Sequence, residues 1–224
     1  MDQTLTFIIP VYNEVESLNI LYNKILDSIK NRYIYEIIFI DDGSTDESVH
    51  VIKKLIDEDD NVHLIVFRKN FGKAAALQAG FRNAKGDIII TMDADLQDDP
   101  SEIDHFVEKI NEGYDLVSGW KKERHDPLEK RLPSKLFNRV TSHLSGIHLH
   151  DFNCGFKAYR KEVVDSLDVY GELHRYIPVL AYRKGFRITE IVVQHNKREY
   201  GKSKYGFERY MRGLFDSITV AFLG

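Results

Sequence analysis

The chain has 224 residues, of which 43% are hydrophobic and 29% are charged; this composition excludes a disordered chain and predicts one folded domain with a substantial core. The formal net charge of −4 argues against bulk affinity for nucleic acid. Cys154 is the single cysteine, which excludes an intrachain disulfide and a cysteine-based zinc cluster and favours a reducing compartment.

The first half of the chain alternates strand-like and helix-like segments. Short apolar runs rich in β-branched residues predict strands, and segments with apolar residues at helical spacing predict the helices between them. Such alternation requires crossover connections, so we predict an α/β fold with a mostly parallel sheet flanked by helices on both faces. In chain order the predicted elements are strand 5–11, helix 15–29, strand 36–40, helix 46–56, strand 62–67, helix 73–84 and strand 87–92.

After Trp120 the pattern is less regular. Residues 121–131 form a charged stretch that contains Pro127 and is typical of a loop, and the proline that begins the next segment suits the first turn of a helix. No repeat, low-complexity tract or linker divides the chain, so we predict a single domain over residues 1–224. The further predicted elements are helix 133–144, strand 151–159, helix 172–184 and strand 187–194.

The two ends of the chain bear on membrane association. The first residues lack the basic region of a signal peptide, and no run of about 18 apolar residues predicts a membrane span. Residues 207–224 have apolar positions at helical spacing with Arg209 and Arg212 near their start, which suits either a helix on a membrane surface or a helix packed on the core. Because the chain stops within an apolar stretch, we expect it to be truncated.

Ligands of open α/β sheets bind beyond the carboxyl ends of the strands, where this sequence is rich in acidic residues. In extended geometry Asp93, Asp95 and Gln97 would share one face, and their oxygens are hard ligands suited to Mg²⁺ or Mn²⁺. The alternative is a solvated acidic turn that caps the helix beginning near Ser101.

A second acidic pair, Asp41 and Asp42, directly follows a predicted strand. These carboxylates could accept hydrogen bonds from a nucleotide base or from ribose hydroxyls, or they could belong to a turn with Ser44 or Asp46 as helix cap. Neither a Gly-x-Gly-x-x-Gly motif after the first strand nor a Gly-x-x-x-x-Gly-Lys-Ser/Thr motif is present. The sequence therefore gives little support for a dinucleotide-binding protein or a P-loop nucleotide-binding protein.

Basic residues recur in the second half of the chain. Any one of these clusters is most simply explained as a solvent-exposed charged surface. Because the clusters follow an acidic motif suited to a metal, together they could bind an anionic partner next to a metal-bound diphosphate. The clustered residues are Lys121, Lys122, Arg124, Lys130, Arg131, His195, Lys197, Arg198, Lys202 and Lys204.

Taken in order, six segments resemble glycosyltransferase family two, and within it the polyprenyl-phosphate hexosyltransferase branch that includes dolichol-phosphate mannose synthases. One segment alone is weak evidence for this resemblance, whereas the ordered set is specific and extends over nearly the whole chain. The segments are Phe7–Glu14, Ile40–Ser44, Arg68–Lys73, Met92–Asp98, Asp151–Phe156 and Arg198–Tyr205.

This resemblance implies a GT-A fold, with a Rossmann-like sheet and an acceptor-side second half. It also implies inverting, metal-dependent transfer of a hexose from a UDP- or GDP-sugar to a polyprenyl phosphate, dolichyl or undecaprenyl, at the cytoplasmic face of a membrane. Residues 1–120 would form the nucleotide-sugar half, 121–205 the acceptor half and 206–224 a juxtamembrane helix before missing transmembrane helices. A homo-oligomer is compatible with the sequence.

The resemblance also assigns roles to individual residues. For the nucleotide sugar it implies Pro10, Tyr12, Asn13, Glu14, Asp41, Asp42, Lys73, Asp93 and Ala94. For the metal it implies Asp93, Asp95 and Gln97, and for catalysis Asp93, Asp95 and Asp151. For the acceptor phosphate it implies Arg124, Arg131, Ser134, Arg198, Ser203 and Lys204.

A phosphate acceptor also has a physical rationale. Its second pKa lies near ~6, so at neutral pH the group is largely dianionic and attacks without a strong general base. A hydroxyl acceptor needs a positioned carboxylate, a role open to Asp151, which could instead shape the sugar site. The alternatives left open are a glycosyltransferase acting on a sugar or protein hydroxyl, and a non-catalytic module that binds nucleotide sugars or docks on membranes.

Overall fold

Seven strands form one sheet in the part of the chain that the structure describes. The structure is a computed structural model and describes residues 3–30, 32–122, 138, 141–142, 145–198 and 200. In chain order its elements are β1 (Thr4–Val11), α1 (Leu18–Ile29), β2 (Ile34–Asp41), α2 (Ser48–Glu58), β3 (Val62–Val66), α3 (Lys73–Asn83), β4 (Ile88–Thr91), α4 (Ile103–Asn111), β5 (Leu116–Trp120), β6 (Lys157–Arg160), α5 (Lys161–Asp165), α6 (Ile177–Arg183) and β7 (Ile188–Val192), with 3₁₀ turns at Pro100–Glu102 and Leu173–Arg175.

The strand order is β3-β2-β1-β4-β6-β5-β7. Parallel pairing joins β1 to β2 and β4, β2 to β3, and β5 to β7, whereas β6 is antiparallel to both of its neighbours. The four strands from the first half of the chain therefore point the same way, and their carboxyl ends form one edge. The predicted mostly parallel sheet is confirmed.

Helices cover both faces of the sheet, which explains why its central strands read as continuous apolar runs. Along β1, Phe7 and Ile9 pack in one core with α1, α2 and α4. Ile8 points to the opposite core, which is closed by α3, α5 and α6. Because both cores are apolar and fully covered, the polar side chains of these strands collect at the strand ends.

In the second half the sequence prediction is partly wrong. The predicted strand 151–159 is irregular up to residue 156, because the buried Phe152 and Cys154 belong to a loop that precedes β6. The predicted helix 172–184 is divided into a 3₁₀ turn and α6, with Pro178 in the first turn of α6, where a missing N–H costs least. Neither β5 nor α5 was predicted.

Two further predictions depend on residues that the structure describes only in part. Of the predicted helix 133–144, it describes Asn138, Thr141 and Ser142, each of which is helical. Residues 206–224, the predicted juxtamembrane helix, lie outside the described residues. Among the helices that the structure does describe, none combines the length and apolar character that crossing a bilayer requires.

A buried hydrogen-bond cluster fixes the amino-terminal edge of the sheet. The carboxylate of Glu36 in β2 accepts hydrogen bonds from Thr6 Oγ1 (2.6 Å) and from the backbone N–H of Lys85 (2.6 Å). Thr6 Oγ1 in turn accepts from the backbone N–H of Gly86 at 2.8 Å. The hydroxyl of Thr6 thus joins β1, β2 and the turn before β4.

The substitution Thr6→Val tests this cluster. It keeps the side-chain shape but leaves the buried Glu36 carboxylate and the Gly86 N–H each without one partner, which is expected to cost about 1–3 kcal/mol. Urea denaturation measures the free energy of unfolding. Thr4→Val is the matched control, because Thr4 bonds to Asp87 through its backbone N–H; equal stabilities of the two variants would contradict the assignment.

Candidate active site

The loops after β1, β2 and β4 meet at the carboxyl edge of the sheet. Strand β1 lies between the other two, with Val11 opposite Asp41 and Ile8 opposite Thr91. The predicted nucleotide-sugar and metal residues therefore gather at this edge, as the sequence predicted. They are Pro10, Tyr12, Asn13 and Glu14 after or within β1, Asp41 and Asp42 at β2, Lys73 at the start of α3, and Asp93, Ala94, Asp95 and Gln97 after β4.

Asp93 is held by a lysine from the helix after β3. The ammonium of Lys73, in the first turn of α3, forms an ion pair with the Asp93 carboxylate. Burial by itself would raise the pKa of Asp93, but the positive charges of Lys73 and Lys121 lower it to about 2. Asp93 is therefore ionised at any physiological pH.

Asp95 has the opposite electrostatic balance. Its carboxylate is buried and pairs with the guanidinium of Arg198, which also lies 3.4 Å from Glu14. Burial and the negative charges of Asp93 and Asp98 raise the pKa of Asp95 to about 6 in spite of that pairing. Negative charge is thus in excess around Asp95, and a bound cation would relieve it.

The acidic motif is a turn rather than a continued strand. Leu96 has a left-handed backbone (φ 62°), and Asp95 Oδ1 accepts a hydrogen bond from the backbone N–H of Gln97 at 3.2 Å. The side-chain amide of Gln97 donates to the carbonyl of Asn196 at 3.4 Å. The extended geometry considered for Asp93, Asp95 and Gln97 is therefore wrong, because side-chain-to-backbone bonding reverses the chain at this point.

The site fits a divalent cation that arrives with other ligands. Among the described residues, no three His, Cys, Asp or Glu side chains are grouped as a ready-made metal cage. Asp93 and Asp95 offer two carboxylates, and Mg²⁺ characteristically combines one or two carboxylates with substrate phosphates and water. The donor set therefore suits Mg²⁺ or Mn²⁺ bound jointly with a diphosphate.

Asp42 organises the loop that leads into α3. Its two carboxylate oxygens accept hydrogen bonds from the backbone N–H groups of Phe71 (2.7 Å) and Gly72 (2.9 Å). Burial raises the pKa of Asp42, while these two bonds oppose the rise. The neighbouring Gly43 touches the same loop, since a Cβ there would lie 2.5 Å from the carbonyl carbon of Lys69. Asp42, predicted to bind the nucleotide sugar, therefore holds protein backbone.

Asp41 is placed differently from its neighbour. It is 1% exposed, and its Oδ2 accepts a hydrogen bond from the backbone N–H of Ser44 at 3.1 Å. Its other oxygen, Oδ1, is buried and has no hydrogen-bond partner among the described residues. A buried carboxylate oxygen in this state is energetically costly unless a donor is supplied. Of the acidic pair, Asp41 is thus the residue suited to accept from a ligand.

Asn13 links the loops after β1 and β2. Its Oδ1 accepts from the backbone N–H of Thr45 at 2.7 Å, and its own N–H donates to Ser44 Oγ at 2.9 Å. Its backbone is left-handed (φ 54°), a conformation that asparagine tolerates better than most residues. Asn13 thus fixes the shape of the loops after β1 and β2.

The loop before β6 forms the floor under Asp93. The buried ammonium of Lys157 donates to the carbonyls of Phe152 (3.2 Å) and Cys154, and burial lowers the pKa of Lys157. Gly155 fits tightly there, since an added Cβ would lie 2.6 Å from Asp93 Oδ2. No role was predicted for Lys157 or Gly155 from the sequence, because the bonds of Lys157 depend on how the loop before β6 folds and the contact of Gly155 with Asp93 joins distant segments.

Asp151 and Lys121 also differ from their expected surroundings. Asp151 is 1% exposed, and its Oδ1 accepts from the backbone N–H of Asn153 at 3.0 Å within the same loop. Lys121, grouped by sequence with cations for an anionic partner, lies 2.8 Å from Asp98 in a buried ion pair. Burial would lower the pKa of Lys121, but the negative charges around it, chiefly Asp98, raise it above its usual range.

The predicted acceptor-phosphate group is described only at Arg198. Arg198 forms an ion pair with Asp95 and so contacts the acidic motif after β4 directly. The other members lie outside the described residues: Arg124, Arg131, Ser134, Ser203 and Lys204.

The sequence matches Glycosyl transferase family 2 over residues 6–168. Since this span covers more than half of the chain, the chain belongs to this family. The predicted family is confirmed, and with it the prediction of a glycosyltransferase at the level of the family.

Relatives that share the name undecaprenyl-phosphate 4-deoxy-4-formamido-L-arabinose transferase support the same conclusion. The one from Pseudomonas fluorescens (strain SBW25) is 40% identical over 217 residues, which cover 96% of this chain and 64% of the relative. That from Shewanella sediminis is 40% identical over 96% of this chain and 66% of the relative. That from Proteus mirabilis is 38% identical, with coverages of 96% and 67%. The chain thus spans about two thirds of their length.

Solved structures show the same fold at low sequence identity. A glucosyl-3-phosphoglycerate synthase from Mycobacterium tuberculosis, in complex with Mn²⁺, UDP and phosphoglyceric acid, superposes with a TM-score of 0.76 at 15% identity, covering 98% of this chain and 79% of the other. A mannosyltransferase from Pyrobaculum calidifontis, in complex with GDP-Man and Mn²⁺, superposes with a TM-score of 0.68 at 18% identity, covering 100% of this chain and 64% of the other. The predicted GT-A fold is confirmed.

The ion pair beneath the site predicts a pH-dependent effect of Lys73→Met. The variant leaves Asp93 without its closest cation, so the free energy of unfolding should fall by about 1–3 kcal/mol at pH 7. In the wild type the folded pKa of Asp93 is about 2, against 3.8 as the reference value, so its contribution is present above pH 3.8 and lost as pH falls towards 2. The difference between the two proteins should therefore shrink below pH 3.8.

Urea denaturation across that pH range measures the effect. Lys161→Met is the matched control, because Lys161 forms an exposed pair with Asp165 along α5 and should change stability little. A Lys73→Met effect that is constant with pH would show that the pairing with Asp93 does not cause it.

Proposed function

We propose that this chain transfers a sugar from a nucleotide diphosphate sugar to a polyprenyl phosphate, with the help of Mg²⁺ or Mn²⁺. The observation that carries the proposal is the pair Asp93 and Asp95, set side by side in one turn at the carboxyl end of β4 with cations on either side. A nucleotide diphosphate supplies the phosphate ligands that this incomplete metal site needs.

Two observations support the nucleotide side of the proposal. Asp41 offers a buried carboxylate oxygen at the adjacent strand end, suited to a base N–H or a ribose hydroxyl. The structural neighbours were solved with UDP or GDP-Man together with Mn²⁺. Because both nucleotides occur among proteins of this fold, the donor base is open to either UDP or GDP.

The proposed chemistry is a single displacement. A phosphate oxygen of the acceptor attacks the anomeric carbon on the face opposite the diphosphate, so the configuration inverts and the nucleoside diphosphate leaves. The metal, when bound, offsets the charge that develops on the leaving diphosphate. Lys73 keeps Asp93 ionised at the atom that would hold the cation, and Gly155 leaves room for that carboxylate.

The surroundings of Asp151 favour a phosphate acceptor over a hydroxyl acceptor. A hydroxyl needs a general base within reach, and Asp151 is buried with its carboxylate engaged in the turn before β6. A dianionic phosphate needs no such base. The relatives, whose names specify undecaprenyl phosphate, support the same class of acceptor. A lipid acceptor places the reaction at a membrane surface, for which the cytoplasmic face is the proposed side.

The names of the relatives restrict the choice of donor sugar more than the residues of the site do. The sequence predicted a hexose, whereas the names of relatives 36–40% identical to this chain specify 4-deoxy-4-formamido-L-arabinose. The first donor to test is therefore the nucleotide diphosphate form of that pentose. UDP-glucose, UDP-GlcNAc and GDP-mannose test the original prediction.

Asp95→Asn tests the proposal directly. The change keeps the size of the side chain but removes the charge, so turnover of donor plus undecaprenyl phosphate should fall by about 10²–10³-fold while the fold is retained. The assay follows radiolabelled sugar into the lipid fraction at saturating Mn²⁺. Asp57→Asn, on the exposed surface of α2, is the matched control and should keep wild-type turnover.

Other results would point away from the proposal. Wild-type turnover by Asp95→Asn would contradict the metal assignment. Metal-dependent donor hydrolysis by the wild type, with sugar transferred to a hydroxyl compound but not to the lipid phosphate, would favour the hydroxyl acceptor. Donor binding without hydrolysis or transfer would indicate a non-catalytic module.

A further inference from the structure

The three carboxylates of the motif after β4 each have a cation of their own. Asp93 pairs with Lys73, and Asp98 pairs with Lys121. Asp95 pairs with Arg198. Lys73 begins α3 and Lys121 directly follows β5, so both are carried by regular elements. Arg198 instead belongs to the irregular segment beyond the end of β7.

That segment is attached to the motif by a second set of contacts. The backbone N–H of Asn196 donates to the carbonyl of Gln97 at 2.9 Å, and Gln97 Nε2 donates back to the carbonyl of Asn196. His195 forms a bridge with Asp98 in the same antiparallel sense. These contacts hold the segment that carries Arg198 against the motif, so the segment's position does not depend on the ion pair alone.

The arrangement creates a conflict on Asp95. A carboxylate that accepts hydrogen bonds from a guanidinium cannot also bind a divalent metal ion without bringing the two cations within about 4 Å of each other. A metal that arrives alone must displace the guanidinium and leave it beside new positive charge. A metal that arrives with a diphosphate brings a new anion that a planar guanidinium can bind through two parallel hydrogen bonds.

We propose that Arg198 occupies the cation position on Asp95 in the ligand-free protein and passes to the donor diphosphate when the metal takes its place. This inference rests on the proposed function and deepens it, since it assigns Arg198 to the donor diphosphate rather than to the acceptor phosphate. Arg198 thereby couples the binding of the metal to the binding of the nucleotide.

Titration calorimetry with Mn²⁺ tests the coupling without any turnover. In the wild type, saturating UDP or GDP should tighten Mn²⁺ binding by at least about tenfold, a typical coupling between two ligands. In Arg198→Gln, Mn²⁺ alone should bind about tenfold more tightly than in the wild type, because Asp95 is vacated and a repelling charge is gone. The nucleotide should then bind more weakly than in the wild type. The ratio of the Mn²⁺ affinities with and without nucleotide should approach one.

Two further variants make the result specific. Arg198→Lys keeps the charge but not the two-pronged geometry, so its coupling should lie between those of the wild type and Arg198→Gln; it also serves if the glutamine variant does not fold. Arg82→Gln removes an exposed arginine that pairs with Asp168, and it should bind Mn²⁺ as the wild type does. Thermal unfolding of each variant verifies the fold.

The outcomes separate this inference from the proposed function. Unchanged or weaker binding of Mn²⁺ alone in Arg198→Gln, while Asp95→Asn abolishes nucleotide-dependent Mn²⁺ binding, overturns the role of Arg198 and leaves the metal site intact. Wild-type Mn²⁺ binding by Asp95→Asn, with either nucleotide, overturns the metal site and with it both proposals.

Discussion

The site depends on ion pairs between the acidic turn after β4 and cations from three distant segments. Three carboxylates within six residues would repel one another and take up protons if they were left unpaired in a buried loop. Lys73, Lys121 and Arg198 prevent this, and each comes from a different part of the chain. The site is therefore complete only when α3, β5 and the segment after β7 are all in place.

The antiparallel strand β6 makes this convergence possible. It lies between β4 and β5 and so joins the parallel strands of the first half to the β5–β7 pair. The loop before it passes beneath Asp93, where Lys157 gathers two carbonyls and Gly155 admits the carboxylate. One inserted strand thus brings the first and second halves of the chain into one sheet.

Local sequence patterns predicted the first half of the fold and the strand ends that carry the site, because β1 to β4 and their helices obey simple periodicities. They failed where distant contacts decide the structure. In the loop before β6, Phe152, Cys154 and Phe156 alternate as in a strand because all three are buried, although the backbone there is irregular. The roles of Lys121 and Gly155 depend on Asp98 and Asp93, which lie in a distant part of the chain, and no local signal marks these contacts.

The most direct measurement is a crystal structure with Mn²⁺ and a nucleoside diphosphate, UDP or GDP, in which anomalous scattering locates the metal. We expect a manganese peak in direct contact with the carboxylates of Asp95 and Asp93 and with the diphosphate, and a guanidinium of Arg198 turned from Asp95 to the phosphates. A diphosphate bound elsewhere, or a metal that contacts neither carboxylate, would contradict this expectation.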